Sequence, residues 1–308
     1  MRSIIRYFIA AGALALPALP AGAQERSRLD DAVASRIDTT VALDRNGTVD
    51  LSLVSGEIIV SAGSGNSVRV RAFSERGILQ FSASPLRVSL QVRSDRRSIG
   101  DTRYEVSVPV GTRLVLRAVS GDVTAKGVKG ELEASSVSGD VDVADGAGDV
   151  DLETVSGDLT AERLSGRIVA TSVSGDVSLN DVNGELEVET VSGEMRLSAI
   201  RSKVLRTETV SGELTYDGTL DSDGRYDFRS HSGDLRLGVP ANAGGTVRLE
   251  TFSGAVESVF PMTMQPNGAG SSRPKRLEFT FGNGGARITA ETFSGDIIIE
   301  RATNTSAP

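Results

Sequence analysis

The sequence contains no cysteine and no tryptophan, and it has one histidine among 308 residues. Without cysteine the chain forms neither a disulfide nor a thiolate metal site, and one histidine is too few for a typical zinc centre. Aromatic residues make up only 4% of the chain, which argues against a site that stacks sugars on aromatic rings. We therefore expect no cofactor and no thiol or zinc chemistry.

A positive charge excess is also lacking. The chain has 41 acidic and 33 basic residues, for a formal net charge of −8. An acidic surface repels phosphate backbones and anionic lipid headgroups, so we expect no nucleic-acid partner. Beyond the N-terminus there is no long apolar run either, and we expect no stable membrane insertion.

The N-terminus has the pattern of a secretory signal peptide. Arg2 and Arg6 precede or flank an apolar run over residues 7–16, and Ala21-Gly22-Ala23 forms a small-residue cleavage motif. The run is too short to span a bilayer as a mature anchor. We predict a signal peptide over residues 1–23 and an exported protein that is periplasmic, secreted or held at the cell surface.

A glycine repeat dominates the middle of the chain. Glycines recur every nine residues from Gly121 to Gly193, and every second one belongs to a Val-Ser-Gly-Asp or Val-Ser-Gly-Glu motif. The full repeat is therefore eighteen residues, built from two similar halves. Repetition at a fixed period indicates one structural unit stacked on copies of itself.

Each half-repeat alternates with period two, which predicts strands rather than helices. In 137–143, the alternation puts Val137, Gly139, Val141 and Val143 on the buried side. We predict an all-β fold, a right-handed parallel β-solenoid with about 18 residues per coil and irregular β-caps. The motif glycine either supplies a positive φ at a bend or bulge, or it is small so that the two strand faces approach each other, and the sequence does not decide between these.

The repeat also predicts the domain boundaries. After the signal peptide we expect a flexible leader over 24–40 and a solenoid domain over 41–300. Within it, the regular coils cover about 105–240, the irregular N-terminal part 41–104 and the looser C-terminal coils 241–300. After Gly193 the glycine spacing widens to 19, 21, 21 and finally 41 residues, which we attribute to insertions at corners. Residues 301–308 form a tail.

These features resemble a bacterial family of exported β-strand-repeat proteins known as putative adhesins, whose shared domain has no assigned function. The Val-Ser-Gly-Asp/Glu units and the phrase Val108-Pro109-Val110-Gly111 carry the resemblance, which covers roughly residues 41–300. It implies a β-solenoid in the cell envelope.

Stacking in register would align one acid from each repeat into a column, which is our candidate interaction stripe. Neighbouring carboxylates about 4.8 Å apart repel each other by about 1 kcal/mol in water, so solvent, basic side chains or cations must compensate. A calcium β-roll also uses nine-residue repeats, but its several glycines and spaced aspartates are missing here. The stripe residues are Asp122, Asp140, Asp158, Asp176, Glu194 and Glu213.

Catalytic residues are hard to find. His231 stands in Ser230-His231-Ser232-Gly233, where most copies have valine, and we interpret it as a replaced core position or an irregular coil end. We favour a non-enzymatic structural or adhesin-like interaction module whose partner is an envelope or surface protein or a glycan. The alternatives are a polysaccharide-active solenoid enzyme, a lyase or hydrolase, and a cation-binding module like the β-roll.

Overall fold

The computed structural model describes residues 35–93, 100–240, 242–260 and 275–302, and these residues contain strands, turns and bends but no helix. This confirms the all-β prediction. The strands are β1 (Ser35–Ala42), β2 (Thr48–Gly63), β3 (Ser67–Ser74), β4 (Ile78–Ser84), β5 (Arg87–Arg93), β6 (Thr102–Pro109), β7 (Arg113–Lys126), β8 (Leu132–Ser138), β9 (Val141–Ala144), β10 (Ala147–Ser156), β11 (Leu159–Ser174), β12 (Val177–Ser192), β13 (Met195–Ser211), β14 (Leu214–Ser232), β15 (Leu235–Val239), β16 (Gly245–Ser253), β17 (Val256–Ser258), β18 (Lys275–Phe281), β19 (Ala286–Ser294) and β20 (Ile297–Arg301).

The strands form two ladders of hydrogen-bonded neighbours, and the longer strands pass from one ladder to the other. The first ladder runs β4, β5, the start of β2, the start of β7, β8, β10, the ends of β11, β12, β13 and β14, then β19, β16 and β18. The second runs β1, β3, β6, the ends of β2 and β7, β9, the starts of β11, β12, β13 and β14, then β15, β20 and β17. The arrangement is solenoid-like.

Pairing is parallel through the middle of both ladders, and the register follows the sequence repeat. Val141 pairs with Leu159, and Leu159 pairs with Val177, so partners in β9, β11 and β12 are eighteen residues apart. All three side chains have no exposed surface. They belong to a single hydrophobic cluster that extends through both ladders, because a strand this narrow buries its apolar side only against its neighbours.

Towards the two ends the pattern changes. Strands β1, β3 and β4 at one end and β18 at the other join the ladders by antiparallel pairing. In addition, β19 and β20 insert between β14–β15 and β16–β17, although they follow β16 and β17 in the chain. The gap of 41 residues between Gly254 and Gly295 therefore reflects this change of order, and our attribution of it to a corner insertion is wrong.

The described residues reach the predicted end of the leader but not the predicted signal peptide. Strand β1 begins at Ser35, inside the segment 24–40 predicted as a leader, so the ordered strands begin earlier than residue 41. The predicted signal peptide and residues 303–308 of the predicted tail lie outside the described residues. Within the described part, no helix is long and apolar enough to cross a membrane.

Candidate functional site at the Val-Ser-Gly-Asp corner

The Val-Ser-Gly-Asp motif forms the corner where the chain leaves the first ladder for the second. In one copy, Ser136 is buried, Val137 and Ser138 are exposed, and Val141 is buried again. The alternation is thus interrupted by two consecutive outward residues. Our prediction that Val137 faces the core is wrong, because the strand turns at this point and the motif valine is left on the outside.

The motif glycine is needed at this corner for close approach. A Cβ on Gly157 would lie 2.2 Å from the carbonyl oxygen of Gly139 in the preceding repeat, far inside contact distance. Gly193 combines a similar clash with Gly175 and a φ of +127°, which side chains rarely tolerate. The positive φ left open by the sequence is present at Gly193, whereas the close approach at Gly157 is to the preceding corner and not between the two strand faces.

The predicted acid stripe is brought together as a continuous row, and its aspartates bind backbone. The Oδ1 atom of Asp140 accepts a hydrogen bond from the N–H of Asp158 at 2.9 Å, and Asp158 accepts one from Asp176 at the same distance. These bonds satisfy corner amides that no ladder partner reaches. Six aspartates make this contact with the next corner, and we call them the carboxylate ladder: Asp122, Asp140, Asp158, Asp176, Asp234 and Asp296.

The two glutamates of the predicted stripe behave differently. Glu194 pairs with Arg196 at 2.6 Å, and Glu213 pairs with Arg236 at 2.5 Å. In the described residues, neither carboxylate accepts a hydrogen bond from the backbone N–H of the next corner. The additional methylene of glutamate moves the carboxylate past the amide, so aspartate is specified by geometry. Sequence reasoning could not see this function of the stripe, because it depends on the register between repeats.

This geometry predicts opposite outcomes for two exchanges of similar size. Asp158→Glu removes the acceptor from the N–H of Asp176 and should lower the free energy of unfolding by about 1 kcal/mol, the typical net value of one hydrogen bond. Glu194→Asp places an acceptor below the N–H of Glu213 and should raise it by a similar amount, reduced by the loss of the exposed ion pair with Arg196. Urea denaturation followed by circular dichroism measures both.

Asp158→Asn is the matched control, because its amide oxygen keeps the acceptor while the charge is removed. It should lie close to the wild type. If Asp158→Asn loses stability while Asp158→Glu does not, then charge rather than the backbone hydrogen bond explains the aspartates, and the carboxylate ladder has no structural role.

Outside the carboxylate ladder, the motif valines form an outward-facing apolar row, in which Val155 and Val210 are half-buried and the others are exposed. Val119, Val137 and Val191 keep 47%, 37% and 44% of their surface exposed. Parallel pairing places equivalent positions of successive repeats next to each other, so the row is continuous along the first ladder. We call it the apolar ridge, and in axial order it consists of Val54, Val119, Val137, Val155, Val173, Val191, Val210, His231, Phe293 and Phe252.

The ridge ends in three stacked rings. His231 stacks on Phe293 at a centroid distance of 5.2 Å, and Phe293 stacks on Phe252 at 5.0 Å, with the planes within 4° of parallel. Phe252 and Phe293 are about half exposed, and His231 is exposed as well. The interpretation of His231 as a replaced core position is therefore wrong: it occupies the outward position of the corner.

Acidic side chains also lie on the other side of the ridge, on the outward face of the first ladder. Withdrawal from water, together with the charges of Glu208 and Glu187, raises the pKa of Glu189 above its usual value. Withdrawal from water and the charge of Glu133 raise the pKa of Asp151 in the same way. A raised carboxyl pKa means that the folded state binds protons more tightly, so these groups stabilise the fold less as the pH rises through that pKa.

Metal binding was one alternative for the acid row. In the row each aspartate is directed along the axis at the next corner amide. Among the described residues, no three acidic or histidine side chains converge as ligands for a metal ion. The described part of the row is thus arranged as a chain of backbone hydrogen bonds and not as a cage.

Comparison with solved structures returns proteins of low identity and low TM-score. A putative adhesin from Bacteroides fragilis NCTC 9343 is 11% identical, with a TM-score of 0.44 over 86% of this chain and 97% of the other. A putative adhesin from Parabacteroides distasonis ATCC 8503 is 8% identical, with a TM-score of 0.39 over the same shares. A putative cell adhesion protein from Clostridium sporogenes ATCC 15579 is 9% identical, with a TM-score of 0.23 over 87% and 100%.

Among curated proteins, none matches this sequence. A family description does match, and it covers residues 64–300, which include the whole regular repeat and the corner motifs described above. This span also agrees with the resemblance carried by the Val-Ser-Gly-Asp units. The chain belongs to the Toastrack DUF4097 family.

Proposed function

We propose that the protein is an exported, non-catalytic module of the cell envelope that binds a partner along its corner surface. The observation that carries the proposal is the ridge, in which one outward position is apolar or aromatic in successive repeats while its neighbours stay polar. Large exposed apolar surfaces on a folded protein usually mark interaction sites. The signal-peptide pattern at residues 1–23 supports export to the periplasm, the cell surface or the medium.

We propose further that the chain winds as a right-handed solenoid with about eighteen residues per coil. The pairing of Val141 with Leu159 and of Leu159 with Val177 supports the coil length in the middle of the domain. The strong preference of parallel crossovers for one hand supports the direction of winding. Such a coil repeats each surface position about every 4.8 Å, which makes an extended binding surface from one short motif.

The acid stripe contributes to that surface in this proposal. Each aspartate of the carboxylate ladder uses Oδ1 for the neighbouring backbone, and Asp122, Asp140, Asp158 and Asp176 remain exposed to solvent. The stripe of Asp122, Asp140, Asp158, Asp176, Glu194 and Glu213 therefore has two functions, one structural and one electrostatic. The electrostatic function favours partners that carry positive charge beside an apolar surface.

The test compares binding and cleavage in one preparation. The mature chain, residues 24–308, is incubated with washed envelope fractions of the source bacterium, and bound protein and released soluble sugar are both measured. We expect saturable binding without release of sugar. Sugar release that disappears with a single acid substitution would replace the proposal with the polysaccharide-active enzyme. Absence of saturable binding to every envelope fraction would leave the interaction proposal without support.

A further inference from the structure

The ridge exposes about as much apolar surface as the largest patch of an ordinary monomer, and such patches are often functional. The exposed fractions of its seven most exposed apolar members correspond to roughly 500 Å², taking about 150 Å² for a valine and about 200 Å² for a phenylalanine. The largest apolar patch of an ordinary monomer covers about 300–600 Å². Here this surface is arranged as a narrow line, because ten successive tiers about 4.8 Å apart span about 43 Å.

Negative charge lies on both sides of the line. On one side is the carboxylate ladder, and none of Asp122, Asp140, Asp158 and Asp176 is ion-paired within the described part of the chain. On the other side, outward glutamates such as Glu153 and Glu189 predominate, and Arg117 and Arg229 lie among them paired with acidic side chains. The pKa of Glu189 is raised first by its withdrawal from water and then by the charges of Glu208 and Glu187.

A serine follows each ridge residue and separates it from the carboxylate ladder, and all of these serines except Ser55 are exposed. Ser138, Ser156 and Ser174 are examples, and all three are exposed. In cross-section the surface is thus apolar at its centre, hydroxylated beside the centre and acidic at both margins. A complementary partner has an apolar stripe with basic residues on each side of it.

We propose that the ridge of this interaction module docks a basic amphipathic α-helix of a partner protein, laid along the axis of the ladders. One turn of a helix advances about 5.4 Å, so each apolar residue of its stripe meets about one tier of the ridge. Lysine and arginine beside the stripe then lie over the carboxylate ladder and over the outward glutamates. The partner helix would present its apolar anchors at i, i+3, i+4 and i+7, as amphipathic recognition helices do.

A second copy of the chain fits the ridge less well. A two-fold axis across the ridge would oppose the carboxylate ladders of the two copies, and an axis along it would oppose each carboxylate ladder to the outward glutamates of the other copy. Both arrangements place like charges together. Charge complementarity therefore selects a basic partner, and self-association becomes an outcome that the experiment must detect.

The experiment uses a synthetic helical peptide of leucine and lysine, about 22 residues or roughly 33 Å long, with leucine on one stripe. Its binding to the mature chain is measured by calorimetry at low and at physiological salt. A scrambled peptide of identical composition and a polylysine of equal charge are the peptide controls. We expect the amphipathic peptide to bind at least tenfold more tightly than either control, and more weakly as salt rises.

Apolar variants locate the binding surface. A triple variant replaces three ridge valines by serine, and since these side chains are exposed, its unfolding curve should stay close to that of the wild type. We expect it to lose at least tenfold in affinity. The variant combines Val137→Ser, Val173→Ser and Val191→Ser, and the matched control away from the ridge combines Ile78→Ser and Leu86→Ser at positions that are 65% and 64% exposed.

Charge variants test the acidic margin without breaking the carboxylate ladder. The side-chain oxygen of asparagine still accepts the hydrogen bond from the next corner's backbone N–H, but the side chain carries no charge. The fold is therefore retained while the electrostatic attraction to the peptide is lost. We expect a threefold to tenfold loss of affinity and a weaker dependence on salt. The variant combines Asp140→Asn, Asp158→Asn and Asp176→Asn, and the control of equal charge combines Asp44→Asn, Asp223→Asn and Glu300→Gln at exposed positions.

Three results would overturn the proposal. These are equal binding of polylysine and the amphipathic peptide, unchanged affinity of the valine-to-serine variant, and a wild-type dimer that the same variant converts to monomer in sedimentation. The third would assign the ridge to a second copy of this chain. The proposal rests on the proposed interaction function, but the two can fail independently. If the valine-to-serine variant still binds envelope fractions, the interaction function stands and the ridge is excluded as the binding surface.

Discussion

Gly157→Ala is expected to lower the free energy of unfolding by about 3 kcal/mol or more, because neither partner in the clash is able to move. The new methyl group would lie 2.2 Å from the carbonyl oxygen of Gly139. That oxygen belongs to the backbone of the preceding corner, between Ser138, which pairs with Ser156, and the amide of Asp140, which binds Asp122. Moving it would disturb the hydrogen bonds of two repeats. Urea denaturation measures the loss.

The matched control is Gly111→Ala. At Gly111 nothing lies within 4 Å of the added Cβ, and its φ is outside the range that side chains avoid. The substitution should change stability by less than about 1 kcal/mol. Equal losses at Gly111 and Gly157 would mean that chain flexibility rather than close approach of the corners explains the repeated glycine.

Leu159→Ala is expected to cost about 2–4 kcal/mol, the usual range for a leucine removed from a packed core. Leu159 has no exposed surface and lies between Val141 and Val177 of the neighbouring repeats. The tiers cannot close around the cavity, because each is held at strand spacing by its ladder hydrogen bonds. Thermal and urea unfolding should report the same loss.

Val137→Ala provides the contrast with Leu159→Ala. Val137 is an apolar residue of the same repeat, but 37% of its surface is exposed at the corner. We expect a change within about 0.5 kcal/mol. A loss at Val137 as large as that at Leu159 would mean that the motif valine is buried after all, and the ridge would not exist as a surface.

The sequence predicts the repetitive part of this fold well. An eighteen-residue repeat with period-two alternation requires parallel strands stacked in register, and Val141, Leu159 and Val177 meet accordingly. Alternation fails at the corner, because two consecutive outward residues break a rule that holds only within a strand. Val137 has the same residue type and phase as Val141, so the alternation predicts it in the core. The structure leaves it exposed because the strand turns between these two residues.

Other features depend on contacts that a single sequence does not display. The choice of aspartate over glutamate follows from the distance between one corner carboxylate and the next corner amide, which exists only once the repeats are stacked. The insertion of β19 and β20 between earlier strands depends on pairing between residues that are more than 40 positions apart in the sequence. His231 could be placed by alignment with the motif valines, but only after those valines were known to face outward.

Corners of successive repeats lie directly on one another, and the rest of the interpretation depends on this stacking. Engineered cysteine pairs test it most directly, because the native chain contains no cysteine that could form a competing disulfide. Ser138 pairs with Ser156, and both are exposed, so adjacent strands hold their Cα atoms about 4.8 Å apart, within disulfide range. Ser174 lies one tier further, about 9.6 Å from Ser138, which is too far.

The measurement is the fraction of intramolecular disulfide formed under native, mildly oxidising conditions. We expect near-complete disulfide formation in the Ser138→Cys, Ser156→Cys variant and little in the Ser138→Cys, Ser174→Cys variant. Efficient bridging of residues 138 and 174, with none between 138 and 156, would contradict the stacking on which the carboxylate ladder, the ridge and the proposed function all depend.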